Sequence, residues 1–474
     1  VCKMSVTANL EDYPDRIADE FTDQTLLITG ATGFVGKVLL EKLLRCCPKL
    51  KKIYVFVRTK KNKNPDDRLK DIFSGPLCDL LRKQQSEDVF RKVEAIPADL
   101  AAPDLALSAE NRRKLAEEVQ LIYHCAATVR FDEPLKKAVF INVRGTKLMT
   151  DLAKECKKLS MFCHLSTAYC HLNERILYEK SYPPPANPHH VIKACEWMDE
   201  ATLNTITDKI LGDIPNTYAF TKALAEALID EEMDNLPIGY LRPSIIIPVW
   251  KEPLPGWTDN LNGPTGLLIG AGKGVIRTMY VKGDSYADYI PVDIVANCLV
   301  CGPFTFKMTK KRIFNLTSSA EYKVSFEEII EIGRGIVTKK LPLNGVLWYP
   351  GGSMKRSRLL HNIDFFLVQV LPAIILDGIL IMLRYKPVLM RVQRKIYKGY
   401  DIFEYYANKQ WDFDNDHTLQ MRNMFNPREK VTYKLDGDGI NYEDYFTNCI
   451  YAARRYLLKE PDNTIPSARR HMTM

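Results

Sequence analysis

The chain has 474 residues, of which 46% are hydrophobic and 26% charged. This composition supports a globular protein of roughly two to three domains and excludes a disordered one. A net charge of +8 is mild for the length; it argues against a nucleic-acid binder and suits an anionic ligand or an anionic membrane surface.

Residues 1–20 are polar and acidic and are expected to form a flexible lead-in. From Thr25 onward, short apolar runs alternate with helical stretches. The runs are TLLITG (25–30), KIYVFVR (52–58), VEAIPAD (93–99), VQLIYHCA (119–126), MFCHLST (161–167) and IGYLRPSIII (238–247). They are not strictly alternating, as expected of strands buried on both faces. Helical segments such as 34–47 and 134–157 lie between them. The expected class is α/β, a doubly wound parallel sheet with helices on both faces and a mostly helical C-terminal domain. The proline cluster SYPPPANP opens an insertion over 174–215, residues 248–300 read as a substrate lobe, and IFNLTS (313–318) reads as a late strand. The sheet domain is expected over 21–345, the helical domain over 346–460, and a tail over 461–474.

The 12 cysteines are irregularly spaced, with Cys46 and Cys47 adjacent. No disulfide framework is expected, and a reducing compartment is favoured. Cys298 and Cys301 form a single CxxC. A zinc site wants a second pair, so no metal is expected and VANCLVCG reads as a buried apolar helix. Near the C-terminal end, Ile363–Leu383 is long enough to span a bilayer. It also carries Asp364, Gln369, Pro372, Asp377 and Gly378. An acid at mid-bilayer costs roughly 2.5–3.5 kcal/mol. A helix or hairpin partly buried in protein or lying at a membrane surface is therefore expected, with a simple span as the alternative. Arg384, Lys386, Arg391, Arg394, Lys395 and Lys398 follow, with no acid until Asp401. They read as a solvated helix face or as a contact for anionic headgroups.

Three constellations carry chemistry. The first is Thr29-Gly30-Ala31-Thr32-Gly33-Phe34-Val35-Gly36, after a predicted strand and opening a predicted helix. Gly30 suits the tight turn, Gly33 a close approach of a pyrophosphate, and Gly36 the packing of helix on strand. The second is Arg58, with Lys60, Lys61 and Lys63 behind it. An NAD site usually places an acid there, whereas a guanidinium suits the 2′-phosphate of NADPH. Asp99 is placed to accept from the adenine amino group, and Ala126 is small enough for backbone to lie against the adenosine. His124 reads as a packed histidine. The third constellation is Tyr218 and Lys222, one turn apart on a helical face. The ammonium favours the phenolate, so the tyrosine can exchange a proton with a carbonyl oxygen. Thr167 can polarise that oxygen, with Ser166 as the alternative. Asn142 is a candidate to hold a water that relays protons to Lys222.

These residues resemble the extended short-chain dehydrogenase/reductase superfamily, a Rossmann-type fold. More closely, the chain resembles the alcohol-forming fatty acyl-CoA reductases of the insect type. The matching stretches are TGATGFVGKVLLEKLLR (29–45), HCAATVRFDEPL (124–135), NVRGT (142–146), HLSTAYC (164–170), YAFTKALAE (218–226), RPSI (242–245), DYIPVDIV (288–295), HNIDFFLVQVLPA (361–373) and WDFDND (411–416). The resemblance implies that Thr29, Gly30, Gly33, Phe34, Val35 and Gly36 bind cofactor phosphates and that Arg58 selects NADPH. It implies that Asp99 and Leu100 flank adenine, that Ala126 and Asn142 line the cofactor site, and that Pro243 and Ser244 sit by the nicotinamide. Thr167, Tyr218 and Lys222 would be catalytic. The implied reaction reduces long-chain acyl-CoA to fatty alcohol with two NADPH and needs no acyl-enzyme, so Cys163 and Cys170 are read as packing. Leu261–Ile276 and the run 363–383 are candidates for the acyl groove, and Lys273, Arg277 and Lys282 for the CoA phosphates. The implied location is the cytosolic face of peroxisome, ER or lipid droplet, with no nucleic-acid partner and homo-oligomerisation open. The alternatives are a one-step reductase that stops at aldehyde and a non-catalytic NADPH-binding scaffold.

Overall fold

The computed structural model of the chain describes residues 10–59, 63–261, 263–282, 284–318 and 323–473. Lys60 and Lys61 of the basic run after Arg58 lie outside the described residues.

Seven short strands form one sheet. In chain order they are β1 (Thr25–Thr29), β2 (Lys52–Val57), β3 (Val93–Pro97), β4 (Leu121–His124), β5 (Met161–Leu165), β6 (Ile238–Pro243) and β7 (Ile313–Leu316). In space they run β7–β6–β5–β4–β1–β2–β3, and every neighbouring pair is parallel. β1, β4, β5, β6 and β7 are buried at every position. That is why their sequences do not alternate: helices cover both faces. The winding direction reverses between β1 and β4, and a sheet of this kind binds its ligand beyond the C-terminal strand ends at that point.

Helix α1 (Phe34–Cys46) follows β1 directly. Helix α2 (Pro65–Phe73) starts where Asn64 accepts from the Asp67 amide and Pro65 takes the first helical position, both favoured at a helix start. Helix α3 (Gly145–Glu155) precedes β5. Helix α4 (Thr217–Asp230) is capped by Asn216, which accepts from the Ala219 amide. Helix α5 (Val292–Met308) is buried along most of its length and carries Cys298 and Cys301 inward, as the apolar pattern of VANCLVCG leads one to expect. The described cysteines are free thiols.

The chain divides into two compact units. The first comprises Val1–Ile246, Val292–Ala320 and Asp412–Asp436; the second comprises Ile247–Pro291, Glu321–Trp411 and Gly437–Met474. This differs from the single cut expected near residue 345. WDFDND leads back to the sheet unit because Asp412–Phe413 pairs with Ile176–Leu177. The helix that follows it donates from Thr418 Oγ1 to Asn315 O of β7 at 2.7 Å, covering an edge strand. The expected loose lead-in is also folded from Leu10 on. Ile17 is fully buried, and Arg16 pairs with Glu429 at 2.6 Å.

The second unit has its own core, which includes Met279, Val281, Phe326, Phe365 and Tyr400. Its longest helical stretch is α6 (Arg358–Phe365), a widened turn Phe366–Val370, and α7 (Leu371–Met382). Together they make a 25-residue helix containing an 18-residue stretch of mean hydropathy 2.3, long and apolar enough to cross a membrane by length and composition. Helix α8 (Leu389–Asn408) runs next.

Candidate active site

The predicted catalytic and cofactor-binding residues all belong to the first unit, and they fall into three groups. The glycine turn is the first. Gly30 sits at φ +75°, and a Cβ there would lie 2.7 Å from the Ala126 amide nitrogen; a Cβ on Gly36 would lie 2.2 Å from Gly30 O. Neither position tolerates a side chain. Gly33 caps α1 without a side-chain bond, and a helix start of this kind favours an anion. Thr29 ties the turn to β4, its Oγ1 accepting from the Ala126 amide at 3.1 Å. His124 Nδ1 lies 2.8 Å from the same hydroxyl, and His124 Nε2 lies 3.1 Å from Thr146 Oγ1. Thr146 gives its own proton to Asn142 O. His124 therefore donates from Nε2 and accepts at Nδ1, a neutral tautomer. Burial, aided by the Lys222 cation, pushes its pKa down to about 3. His124 is a packed histidine, as its sequence context suggests.

The second group is the far end of the cofactor cleft. Arg58 is exposed just past β2, and its carbonyl accepts from Arg68 Nη1 at 2.8 Å. Arg68 Nη2 donates to Thr32 Oγ1 in the glycine turn at 3.1 Å. Burial, then the neighbouring Arg58, pull the Arg68 pKa down. Arg68 escapes a sequence reading because its role depends on α2 folding back across the end of β2; the Asn64-Pro65 helix start was the available signal. Asp99 follows β3, its Oδ1 accepting from the Ala101 amide at 3.0 Å. Leu100 packs so closely on α3 that a Cβ on Gly145 would lie 3.0 Å from its own Cβ.

The third group surrounds α4. Lys222 is buried, and its Nζ donates to Leu165 O at 2.5 Å. Burial lowers its pKa to about 8, against the opposing pull of Glu226. The residues at 218, 222 and 226 share one face of α4. Tyr218, in the first turn, is half-buried with its ring edge-on to Phe131 at 5.6 Å. Thr167 lies two residues beyond β5, where its Oγ1 accepts from the Tyr169 amide at 3.2 Å. Among the described residues its proton has no acceptor, so it remains available to a substrate oxygen. Ser166 is committed elsewhere: its hydroxyl donates to Glu226 Oε1. Asn142 is also committed. Its Nδ2 donates to Thr221 Oγ1 at 2.9 Å and to Thr128 O at 3.1 Å, and its Oδ1 accepts from the Thr128 amide at 2.9 Å. It bridges a helix and a loop, through Thr221 next to Lys222.

Glu226 is the group that the sequence reading missed. It is buried and accepts from Arg242 Nε at 2.9 Å, Arg242 Nη2 at 2.7 Å and His171 Nε2 at 2.9 Å, besides Ser166. Burial pushes the carboxyl up, but Arg242 and His171 outweigh it and hold it well below the carboxylate range. Burial lowers His171, while Cys170 and Glu226 outweigh that and hold it up at about 10. Cys170, His171 and Glu226 come close enough together to suggest metal ligation, but the Arg242 guanidinium already neutralises the carboxylate. The spacing E-A-L-I-D after Lys222 offered no signal, because the partners come from 166, 171 and 242.

Past β6, Pro243 O accepts from the Ala168 amide at 2.9 Å, and the Ser244 amide donates to Leu316 O at 3.0 Å. Ser244 Oγ is buried and has no partner among the described residues. A buried hydroxyl in that state wants a ligand. The close glycine turn at the start of α1 and the orphaned Ser244 hydroxyl fit a dinucleotide. In the second unit, Lys273 is paired with Glu460 at 2.9 Å, and Arg277 Nη1 is held by Tyr349 O at 2.6 Å. Those two cations are engaged within the protein and are poor candidates for CoA phosphates.

A parallel sheet with this switch point, this glycine turn and a Tyr–Lys pair defines a nicotinamide-dependent reductase fold. Two family models described as "Male sterility protein", one of them an NAD-binding model, match residues 28–299 and 368–460. Fatty acyl-CoA reductase 1 of Rattus norvegicus is 38% identical over 460 residues, covering 96% of this chain and 89% of the relative. Fatty acyl-CoA reductase wat of Drosophila melanogaster is 34% identical, covering 98% and 92%. Among solved structures, the terminal R domain of the myxalamid PKS-NRPS pathway superposes with a TM-score of 0.62 at 19% identity, over 93% of each chain; at that identity it speaks for the fold alone. The chain belongs to the fatty acyl-CoA reductase family.

Proposed function

We propose that the protein reduces long-chain fatty acyl-CoA to the primary alcohol, consuming two NADPH and releasing CoA, with Tyr218, Lys222 and Thr167 as the catalytic residues. The observation that carries this reading is the buried Lys222 ammonium. It is held by Leu165 O at the end of β5, two residues before Thr167 and one turn from Tyr218. A bound nicotinamide supplies hydride to the thioester carbonyl and then to the aldehyde. The protein supplies position and protons. Tyr218 donates to the oxygen on which negative charge develops, and the Thr167 hydroxyl hydrogen-bonds to the same oxygen. Lys222 stabilises the phenolate left on Tyr218.

The choice of NADPH rests on two cations rather than one. Arg58 and Arg68 meet beside Thr32, where guanidinium forks suit a 2′-phosphate. Thr29, Gly30, Gly33, Phe34, Val35 and Gly36 cradle the pyrophosphate, Asp99, Leu100 and Ala126 border the adenosine, and Pro243 and Ser244 border the nicotinamide. Asn142 contributes indirectly, by bracing Thr128 and Thr221 around that cleft. We place the protein at the cytosolic face of an intracellular membrane, where long-chain acyl-CoA and fatty alcohol partition.

The test is a turnover assay with stearoyl-CoA that counts NADPH oxidised per CoA released and identifies the lipid. A ratio near two with fatty alcohol is expected. A ratio near one with aldehyde would overturn the two-step reading. NADH should serve poorly until Arg58 and Arg68 are both replaced by Ala. If selectivity for NADPH survives that change, the cation assignment fails.

A further inference from the structure

The helix Arg358–Met382 has its polarity reversed. Its buried residues are His361, Phe365, Gln369, Ala373 and Asp377, spaced four apart along one stripe. The widened turn at Phe366–Val370 keeps that spacing on one face. The polar members of the stripe are answered within the second unit. His361 Nδ1 lies 3.2 Å from Thr278 Oγ1, and Gln369 Oε1 accepts from the Arg277 amide. Asp377 caps α8 across the hairpin, its Oδ1 accepting from the Val388 and Leu389 amides at 3.0 Å and its Oδ2 from the Met390 amide at 2.9 Å. On the flank, Asp364 pairs with Lys355 at 2.6 Å. The outward face is apolar: Phe366, Leu367, Ile374, Ile375, Ile381 and Met382 are each 48–84% exposed. An amphipathic helix of a soluble protein shows the opposite arrangement, and an exposed apolar face this long marks an interaction site.

What covers that face is indicated by charge. Arg384, Lys386, Arg391, Arg394, Lys395 and Lys398 are exposed along the turn and α8, and among the described residues none of the six is ion-paired. No acid intervenes between Asp377 and Asp401. A second copy placed on a two-fold axis here would bring like charges together. Anionic headgroups would neutralise the same cations while acyl chains cover the apolar face. Crossing the bilayer is a poor alternative, because it would pull the capped Asp377 and the paired Asp364 out of their bonds.

We propose that α6, α7 and the basic start of α8 form a monotopic hairpin that docks the protein onto an anionic bilayer surface. The apolar face lies in the plane of the headgroup–acyl boundary, and the cations lie on the headgroups. This deepens the membrane-face placement above and rests on it.

The experiment is flotation of the chain with vesicles of phosphatidylcholine alone or with phosphatidylserine. Turnover of a short, water-soluble acyl-CoA is read in parallel without vesicles. We expect binding that requires phosphatidylserine, weakens with added salt and is reversed by alkaline carbonate. The double variant L367E/I375E should lose at least about tenfold in binding, and R391E/K395E about fivefold or more per cation. Both should keep NADPH binding, and R391E/K395E, outside the candidate acyl groove, should also keep short-chain turnover. Flotation unchanged in both variants would overturn the hairpin but spare the membrane placement. No flotation of the unaltered chain would overturn both. Resistance to carbonate would overturn the monotopic geometry in favour of a span. Conversion of a dimer to a monomer by L367E/I375E, with flotation intact, would assign the face to a second copy instead. The salt and carbonate arms use the unaltered chain, so the proposal stays testable if a variant fails to fold. Loss of short-chain turnover in the unaltered chain would count against the proposed chemistry alone.

Discussion

On the Tyr218 face of α4, the first unit buries the Glu226 carboxylate with the Arg242 guanidinium and the His171 imidazole bound to it, and it surrounds them with apolar strands. Along α6 and α7, the second unit buries His361, Gln369 and Asp377 and turns isoleucine and leucine outward. In both places these buried groups are joined to partners, because leaving them unpaired costs too much. The difference lies in what the outer surface meets. The first unit gathers its charges beside the candidate site, whereas the second uses polar bonds to fasten a hairpin whose other side is apolar. A count of buried polar residues would treat the two regions alike; the direction of each side chain separates them.

The sharpest way to strain this comparison is to remove one group from each region. Tyr218→Phe should lower kcat by about 10²–10⁴ while NADPH still binds, as read by steady-state rates beside cofactor fluorescence titration. A smaller loss would move the proton donor elsewhere. Next is Glu226→Ala, which leaves Arg242 and His171 buried without their counter-charge. We expect a destabilisation of about 3–5 kcal/mol by urea unfolding, with Glu226→Gln milder. An unchanged midpoint would mean that the bonds of Glu226 to Ser166, His171 and Arg242 do not hold this part of the fold together.

Lys222 gives a pH test of intermediate size. Burial lowers its pKa to about 8, so the cation is present below that pH and lost above it. The ratio kcat/KM should fall on the alkaline side with an apparent pKa near 8, and Lys222→Arg should move that limb upward. An alkaline limb insensitive to this change would assign it to another group. Asp377→Ala removes the cap of α8 and should cost about 1 kcal/mol in thermal unfolding. Ile375→Gln, on the outer face of the same helix, should stay within about 0.5 kcal/mol. If Ile375→Gln were the more damaging of the two, the outer face would be packed rather than open.

Much of the first unit was legible from its residues. Non-alternating apolar runs marked doubly covered strands, and the three glycines marked a turn where Ala126 and Gly30 leave no room for a Cβ. Tyr218 and Lys222 were legible because both lie in one helix, where spacing alone places side chains on a face. Partnerships drawn from distant parts of the chain were not legible. Ser166 and Thr167 looked equivalent until Glu226 took the Ser166 hydroxyl. Nothing near Asn142 in the chain showed that its amide would bridge Thr128 and Thr221. Arg68 was not singled out until α2 carried it back to Thr32.

The sequence by itself determined the local periods: which segments become strands and helices, where the glycine turn falls, and which helix carries the Tyr–Lys pair. Backbone sterics and hydrophobic spacing act over a few residues, so these features need no knowledge of the rest of the chain. Tertiary structure alone decided how the segments group. It sent Asp412–Asp436 back to the sheet unit and residues 247–291 to the other. It also turned Asp364 and Asp377 toward protein partners, so that an apolar run which could have been read as a membrane span became a hairpin with one polar, bonded side. Burial and hydrogen bonding are settled by neighbours in space, and those neighbours lie tens to hundreds of residues away along the chain.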